Sequence, residues 1–148
     1  GHAQAVERAG VKAKELGAKR VVPLSVSAPF HCALMKPAEV RLESELRGLV
    51  VRDPSVPVVA NIDARLKRTG EESVEALISQ VSLPVLWEAS VRTLVDTGVS
   101  TFLEVGPGRV LTGLIKKTDR SVRVLNVEDL DSLGTVEAAW ESFLNHSE

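Results

Sequence analysis

Hydrophobic residues recur along the chain with two alternating periods. Stretches with apolar residues three and four apart are typical of amphipathic helices, and short runs of apolar, often β-branched residues are typical of strands. The helical stretches are 6–16, 38–49, 71–80, 87–95, 110–115 and 136–144, and the strand-like runs are 21–26, 56–60, 101–105 and 122–127. Strands separated by helices favour parallel pairing with helical crossovers, so the pattern predicts an α/β fold.

Several boundaries follow from breaker residues. Gly17 and Gly98 end the first and fourth helices. Pro37 falls in the first turn of the second helix, where its missing N–H does no harm. Pro23 interrupts run 21–26, which suggests an edge strand or a strand start. The polar segment 61–70 is predicted to be a surface loop.

The second helix is predicted to bury one face and expose the other. Its apolar face carries Ala38, Leu42, Leu46 and Leu49, and its polar face carries Glu39, Glu43, Glu45 and Arg47. The last helix is predicted to carry an apolar stripe of Val136, Ala139, Trp140, Phe143 and Leu144.

Composition narrows the possible functions. The 148 residues suit one domain, and 44% of them are apolar. The net charge is −2 with dispersed Lys and Arg, and aromatics are few, so we expect no nucleic-acid partner. No apolar run is long enough for a bilayer and no signal peptide opens the chain. The single Cys32 excludes an internal disulfide and fits a cytoplasmic protein. We also expect no metal site and no cofactor.

His31 is the residue most suited to catalysis. The other two histidines, His2 and His146, lie in the terminal segments. His31 follows the strand-like run 21–26 and precedes the second helix, at a sheet edge where α/β proteins usually place their sites. An imidazole there can take a proton from a nucleophile if an acceptor fixes its other nitrogen. The alternative is a histidine that caps the helix or packs in a turn.

Cys32 directly follows His31 and invites comparison with a Cys–His dyad. Adjacent residues do not normally face each other on a helix or a strand. A small, buried, apolar role is therefore the prediction for this thiol. A Cys32-dependent hydrolase is the weaker alternative.

Five segments together resemble the malonyl-CoA:acyl carrier protein transacylase family in order and spacing. They are Gly-Ala-Lys-Arg at 17–20, Val-Ser-Ala-Pro-Phe-His-Cys-Ala-Leu-Met at 26–35, Val-Pro-Val-Val-Ala-Asn-Ile-Asp at 56–63, Gln-Val-Ser-Leu-Pro-Val-Leu-Trp at 80–87 and Glu-Val-Gly-Pro-Gly-Arg-Val-Leu-Thr-Gly-Leu at 104–114. The histidine segment and the Glu-Val-Gly-Pro-Gly segment are the specific ones. The resemblance extends over nearly the whole chain.

The resemblance implies a ping-pong transfer of malonyl from coenzyme A, through a serine, to the phosphopantetheine thiol of acyl carrier protein. It implies that His31 activates the serine and that the main-chain carbonyl of Gln80 orients His31. From the pattern alone, Gln80 is predicted to lie at the solvated end of a helix. The resemblance also places Phe30 beside the acyl pocket, where its ring would crowd an α-methyl branch. Without the resemblance, Phe30 is predicted to lie in the hydrophobic core.

The family's nucleophile lies in a Gly-His-Ser-x-Gly elbow, which these residues lack. The opening Gly-His-Ala-Gln-Ala at 1–5 is not that elbow, because no strand precedes it and Ala5 replaces the second glycine. None of Arg8, Arg20, Arg41 or Arg109 matches the family's malonyl-binding arginine. We therefore expect an N-terminal half of the same protein to supply these groups, and we expect the 148 residues alone to be inactive.

By resemblance, the fold is the C-terminal half of an α/β-hydrolase-like acyltransferase domain plus part of a ferredoxin-like small subdomain. Residues 1–27 would supply the closing helix and strand of the small subdomain, and residues 28–148 the C-terminal part of the large one. We expect the surface that meets the N-terminal half to be apolar and exposed, or covered by another copy of the chain. The alternative function is a non-catalytic binding or scaffold module of this fold.

Two further signals have a structural and a functional interpretation. Gly106-Pro107-Gly108 could offer N–H groups to an anion, although it is more typical of a tight turn that serves as scaffold. A basic cluster could meet an acidic carrier protein, although charge runs usually mark a solvated face. The basic cluster consists of Lys116, Lys117, Arg120 and Arg123.

Overall fold

The computed structural model describes the backbone of residues 1–144 and the side chains of residues 1–139. His146 and the side chains of Trp140, Phe143 and Leu144 lie outside the described residues. The chain forms two compact units, Gly1–Leu86 and a second that begins at Trp87. The predicted division between residues 27 and 28 stays a prediction.

Helices and strands alternate through most of the chain. The first unit contains α1 (Ala3–Glu15), a 3-10 helix (Ala33–Met35), α2 (Lys36–Arg47), β1 (Val58–Ala60), β2 (Arg65–Lys67) and α3 (Gly70–Gln80). The second contains α4 (Trp87–Asp96), β3 (Thr101–Val105), α5 (Val110–Thr118), β4 (Arg123–Val127) and α6 (Leu130–Leu144). Gly17 and Gly98 have positive φ angles of 92° and 94°, as their predicted place after a helix requires.

The second unit is built on a parallel strand pair. β3 and β4 pair in register from Thr101 opposite Arg123 to Val105 opposite Val127, and α5 makes the crossover between them. The buried core consists of Val91, Ile115 and Val122, with Trp87, Val95, Phe102 and Val124 packed against it. The predicted α/β fold is confirmed.

In the first unit, the short strands form an antiparallel hairpin. β1 and β2 pair from Val58 opposite Lys67 to Ala60 opposite Arg65. The prediction of a loop over 61–70 is therefore wrong in part, because β2 lies inside that segment. The predicted buried strand 56–60 is also too long: Val56 is exposed and pairing starts at Val58.

The run 21–26 is not a strand in the structure. Val22, Leu24 and Val26 are exposed, and no described strand pairs with this segment. A strand is stable only when a neighbour takes up its hydrogen bonds, so β-branched composition alone does not produce one. The predicted strand is wrong for the described residues, and His31 follows an irregular segment instead.

α2 does not bury the predicted face. Leu42 and Leu49 are exposed, whereas Glu39 is only 6% exposed. Glu39 can turn inward because Lys36 and Ser82 donate hydrogen bonds to its carboxylate. Pro37 does lie in the first turn of α2 as predicted.

Large apolar side chains are exposed in both units, while the apolar surface facing an N-terminal half stays a prediction. Leu24, Val50, Val105 and Leu130 are all more than two-thirds exposed. Single exposed apolar residues are ordinary, but both units expose many of them. Among the residues that the structure describes, no helix combines the length and apolarity needed to span a bilayer.

The glycine loop 106–108, which follows β3, is fixed by hydrogen bonds within its own unit. Gly106 N donates to Val127 O at 2.9 Å and Gly108 N donates to Glu128 Oε2 at 3.1 Å. At the start of α5, the N–H groups of Leu111 and Thr112 donate to the Glu104 carboxylate at 3.0 and 2.7 Å. An anion would have to displace these acceptors, so the loop is scaffold, in agreement with the structural interpretation.

Gly70 begins α3 where the chain approaches itself closely. A Cβ on Gly70 would clash with Val51 O and lie 3.1 Å from Arg52 O, and Gly70 N donates to Asp53 Oδ1 at 2.8 Å. We predict that Gly70→Ala lowers the free energy of unfolding by about 1–3 kcal/mol through overpacking. Denaturant unfolding followed by circular dichroism measures this.

Gly113→Ala is the matched control for Gly70→Ala. Gly113 lies inside α5 and a Cβ there would contact nothing within 4 Å. Alanine should therefore raise the free energy of unfolding by about 0.5–1 kcal/mol. Equal effects of the two substitutions would contradict the close approach at Gly70.

Glu104 should make the second unit sensitive to acid. Thr112 and then Leu111, whose N–H groups donate to its carboxylate, hold the pKa of Glu104 below its ordinary value. Its ionised form therefore stabilises the folded state above the ordinary glutamate pKa of about 4.3, and this contribution is lost as pH falls through the lower folded pKa. We predict that Glu104→Gln lowers the melting temperature at pH 7 and that the difference from wild type disappears in acid.

The control for Glu104→Gln is Glu137→Gln, because Glu137 is an exposed residue of α6 in the same unit. Calorimetric melting of both variants from pH 7 downward makes the comparison. A difference between Glu104→Gln and wild type that stays constant with pH would contradict the role of the ionised carboxylate.

Candidate functional site

His31 lies in the turn that precedes the 3-10 helix and α2. Its φ angle is 56°, in the left-handed region that non-glycine residues rarely adopt, at a cost of about 1–2 kcal/mol. The residue is exposed, so burial does not explain this conformation. Uncommon backbone geometry held by its surroundings is a frequent feature of functional sites.

The imidazole of His31 is fixed by a long-range hydrogen bond. Its Nδ1 lies 3.0 Å from the main-chain oxygen of Gln80, 49 residues away in sequence. A carbonyl oxygen can only accept, so Nδ1 carries the proton in this bond. In the neutral ring Nε2 is then the unprotonated nitrogen, the one able to accept a proton.

Gln80 is the last residue of α3. Its carbonyl has no partner within the helix, because the last carbonyls of a helix lack an N–H one turn further on, so it can accept from His31. The start of α3 is fixed by a capping box between Thr69 and Glu72. The Gln80 side-chain amide donates to Leu83 O at 3.1 Å, which holds the turn that follows. The backbone carbonyl of Gln80 thus orients His31, and the Gln80 side chain holds the turn that follows α3.

Phe30 lies beside the imidazole on the exposed surface. The two ring centroids are 6.5 Å apart with an interplanar angle of 47°, and Phe30 is 51% exposed. The interpretation of Phe30 as core is therefore wrong. An exposed aromatic ring next to His31 is available to contact a ligand.

Cys32 is directed away from a Cys–His pairing. Its Sγ donates to Pro29 O at 3.0 Å, and among the hydrogen bonds of the described side chains none joins it to His31. The backbone N–H of Leu34 is the main cause that lowers the pKa of the Cys32 thiol. The thiol is half-buried, which agrees with a packing role.

The sequence did not single out Glu39 or Ser82. Ser82 Oγ donates to the buried Glu39 carboxylate, and both side chains are more than 90% buried. Lys36 and then Ser82 hold the pKa of Glu39 below its ordinary value. Nothing in the sequence distinguishes Glu39 from Glu43 or Glu45, which occupy similar positions on the same helix.

The basic cluster lies on the exposed surface of the second unit, at the end of α5 and the start of β4. Among the described side chains, none of the four cations of the cluster takes part in an ion pair. Arg109, by contrast, pairs with Glu128. The cluster thus offers uncompensated positive charge.

The site as a whole supplies one proton acceptor with a fixed orientation and one exposed aromatic neighbour. Neither the described side chains nor the sequence motifs add an activated serine. The arrangement can accept and return a proton, but it needs a nucleophile or thiol presented to Nε2.

Comparison with known proteins identifies relatives. No family model matches the chain. It is 46% identical over 141 residues to the malonyl CoA-acyl carrier protein transacylase of Escherichia coli K12, covering 95% of this chain and 45% of that protein. It is 44% identical over 133 residues to the enzyme of the same name from Bacillus subtilis strain 168, covering 90% of this chain and 42% of that protein.

Solved structures agree with the sequence relatives. The Clostridium perfringens malonyl CoA-acyl carrier protein transacylase superposes with a TM-score of 0.87 at 38% identity, covering 94% of this chain and 44% of that one. A malonyl-transacylase in complex with its type II PKS acyl-carrier protein superposes with a TM-score of 0.86 at 45% identity, covering 90% of this chain and 43% of that one. In sequence and in fold, the chain is therefore similar to the malonyl CoA-acyl carrier protein transacylases, of which it spans less than half the length.

Proposed function

We propose that the chain is the C-terminal segment of an acyl carrier protein S-malonyltransferase. This enzyme moves malonyl from coenzyme A to the phosphopantetheine thiol of acyl carrier protein in fatty-acid synthesis. The observation that carries the proposal is the bond from His31 Nδ1 to Gln80 O, which leaves Nε2 as the proton acceptor. The single cysteine and the substrates named for the relatives favour a cytoplasmic setting.

In the proposed first half-reaction, His31 Nε2 takes the hydroxyl proton of a serine that another segment of the protein supplies. The serine oxygen forms a bond to the malonyl carbonyl, the thioester bond breaks, and the departing sulfur of coenzyme A takes the proton from His31. Throughout, Nδ1–H stays bonded to Gln80 O, so the ring keeps one orientation while its charge changes.

In the second half-reaction the direction of transfer reverses. The phosphopantetheine thiol gives its proton to Nε2, its sulfur attacks the malonyl-serine ester, and the serine oxygen leaves with that proton. His31 and Gln80 are therefore the catalytic and orienting residues of the proposal. The proposed serine is absent from the 148 residues, so a polypeptide of these residues alone should not transfer malonyl.

Phe30 is proposed to contact the acyl group. Its ring lies beside His31 and is half exposed, so an acyl chain bound near Nε2 could meet it. An α-methyl branch would be crowded by the ring, which would disfavour branched acyl groups by roughly 1–3 kcal/mol.

The proposal predicts the effect of removing the base. His31→Ala in the complete enzyme should slow malonyl transfer by about 10²–10⁴-fold, the usual contribution of a general base. The measurement is the rate of malonyl transfer from malonyl-CoA to acyl carrier protein. His2→Ala is the control, because His2 is exposed and its side chain makes no capping bond to α1. A near-normal rate for His31→Ala would refute the catalytic assignment.

The basic cluster is proposed to dock acyl carrier protein, which we take to be acidic. Replacing the four cations of the cluster with Glu should raise the KM for acyl carrier protein at least tenfold, while replacement with Gln should raise it less. Added salt should weaken wild-type docking and reduce the difference between the variants. An unchanged KM for acyl carrier protein, or a rise confined to malonyl-CoA, would end this assignment.

A further inference from the structure

Glu39 is an unusual residue in the first unit. It is one of three buried polar or charged residues among the described side chains, with Ser82 and Ser90, and the only one that ionises. It lies in the first turn of α2, and its carboxylate accepts hydrogen bonds from Ser82 Oγ and from Lys36 Nζ. The Lys36 side chain is 64% exposed, so the carboxylate is compensated from the solvent side.

Packing does not explain a buried carboxylate at this position. Taking a charge out of water is costly, and well-packed apolar residues often give equal or greater stability than a buried charged pair. Most apolar residues of α2 lie instead on its exposed faces, as Val40 and Leu42 show. The burial of Glu39 therefore needs a reason other than the stability of the helix.

Two hydrogen bonds join the same pair of segments. One runs from His31 Nδ1 to Gln80 O, and the other from Ser82 Oγ to the carboxylate of Glu39. Between His31 and Glu39 the chain is a 3-10 helix that continues directly into α2, with Met35 N donating to Cys32 O at 2.9 Å. The segment that carries the imidazole is thus structured up to the carboxylate.

On the opposite side, the two bonded groups are also close in sequence. Gln80 ends α3, and Ser82 lies two residues later in the turn that follows. Leu83 N donates to Ser79 O at 3.1 Å and the Gln80 side chain donates to Leu83 O, so this turn is itself held in shape. A displacement of Ser82 relative to Glu39 would move the Gln80 carbonyl relative to the imidazole.

We propose that Glu39 is a positioning residue for His31. Through Ser82 it anchors the turn after α3 to the start of α2, and this anchor keeps the Gln80 carbonyl within hydrogen-bond reach of Nδ1. The effect on the hydrogen bond is independent of any reaction. The effect on catalysis rests on the proposed function of His31.

The test compares Glu39→Leu, which removes the acceptor for Ser82 Oγ, and Ser82→Ala with Glu43→Leu as the matched control. Glu43 lies on the same helix and pairs with Arg47, with a side chain that is 39% exposed. Ser82→Thr keeps a hydroxyl and serves as the rescue variant. Circular dichroism establishes that each 148-residue variant is folded. Proton NMR of ¹⁵N-labelled chain then measures how fast the Nδ1 proton of His31 exchanges with water.

We expect Glu39→Leu and Ser82→Ala to speed this exchange at least tenfold, while Glu43→Leu and Ser82→Thr stay near wild type. The double variant should be no worse than either single one, because both remove the same anchor. Wild-type exchange rates in folded Glu39→Leu and Ser82→Ala would overturn the proposal, and so would an equal increase in Glu43→Leu.

The same variants in the complete enzyme separate this inference from the proposed function. Glu39→Leu should lower kcat about tenfold with little change in the KM for malonyl-CoA, and Ser82→Thr should keep most of the activity. Faster exchange with an unchanged kcat would support the positioning role and refute the role of His31 as base. A lower kcat with unchanged exchange would refute the positioning role alone.

Discussion

The hydrogen bond between His31 Nδ1 and Gln80 O is the interaction on which the site depends. It spans 49 residues and lets the end of α3 orient a side chain in the turn that precedes the 3-10 helix and α2. It also determines which imidazole nitrogen can act as a base, because a carbonyl accepts only from a protonated nitrogen. The rest of the first unit can be understood as support for the two ends of this bond.

That support is polar rather than apolar. The capping box at Thr69 fixes the start of α3, the amide of Gln80 fixes the turn after it, and Glu39 joins this turn to α2. Few apolar side chains are fully buried, and large ones remain exposed in both units. An element whose apolar face is uncovered depends more heavily on such directed bonds. The exposed apolar surface is also what a segment of a longer protein would present to its remainder.

The sequence predicted what depends on local chemistry. Breaker glycines, the proline in the first turn of α2 and the periodic stretches predicted the helices and the parallel pair β3–β4. The run 21–26 was different, because a strand requires a partner that composition cannot reveal. β2 was missed because the surrounding segment is polar, although Asp63 and Lys67 pair within the hairpin.

For the site, the spacing placed His31 before the second helix, but it wrongly put a strand before His31. The partner Gln80 was identified only by resemblance. Glu39 could not be identified at all, since amphipathic periodicity places it on the solvated face of α2. Its burial depends on Ser82, which is 43 residues away and has no sequence signal of its own. The pattern of hydrophobic and polar positions therefore does not predict long-range pairs of polar groups.

The most direct test of this account is the tautomer of His31. The ¹⁵N chemical shifts of its imidazole would be measured in the wild-type chain at about pH 8.5, where an ordinary histidine is neutral, with assignment from a His31→Ala variant. We expect a protonated Nδ1 and an unprotonated Nε2. A ring with its proton on Nε2 would contradict it, because neither the bond to Gln80 nor the proposed action as a base could then hold.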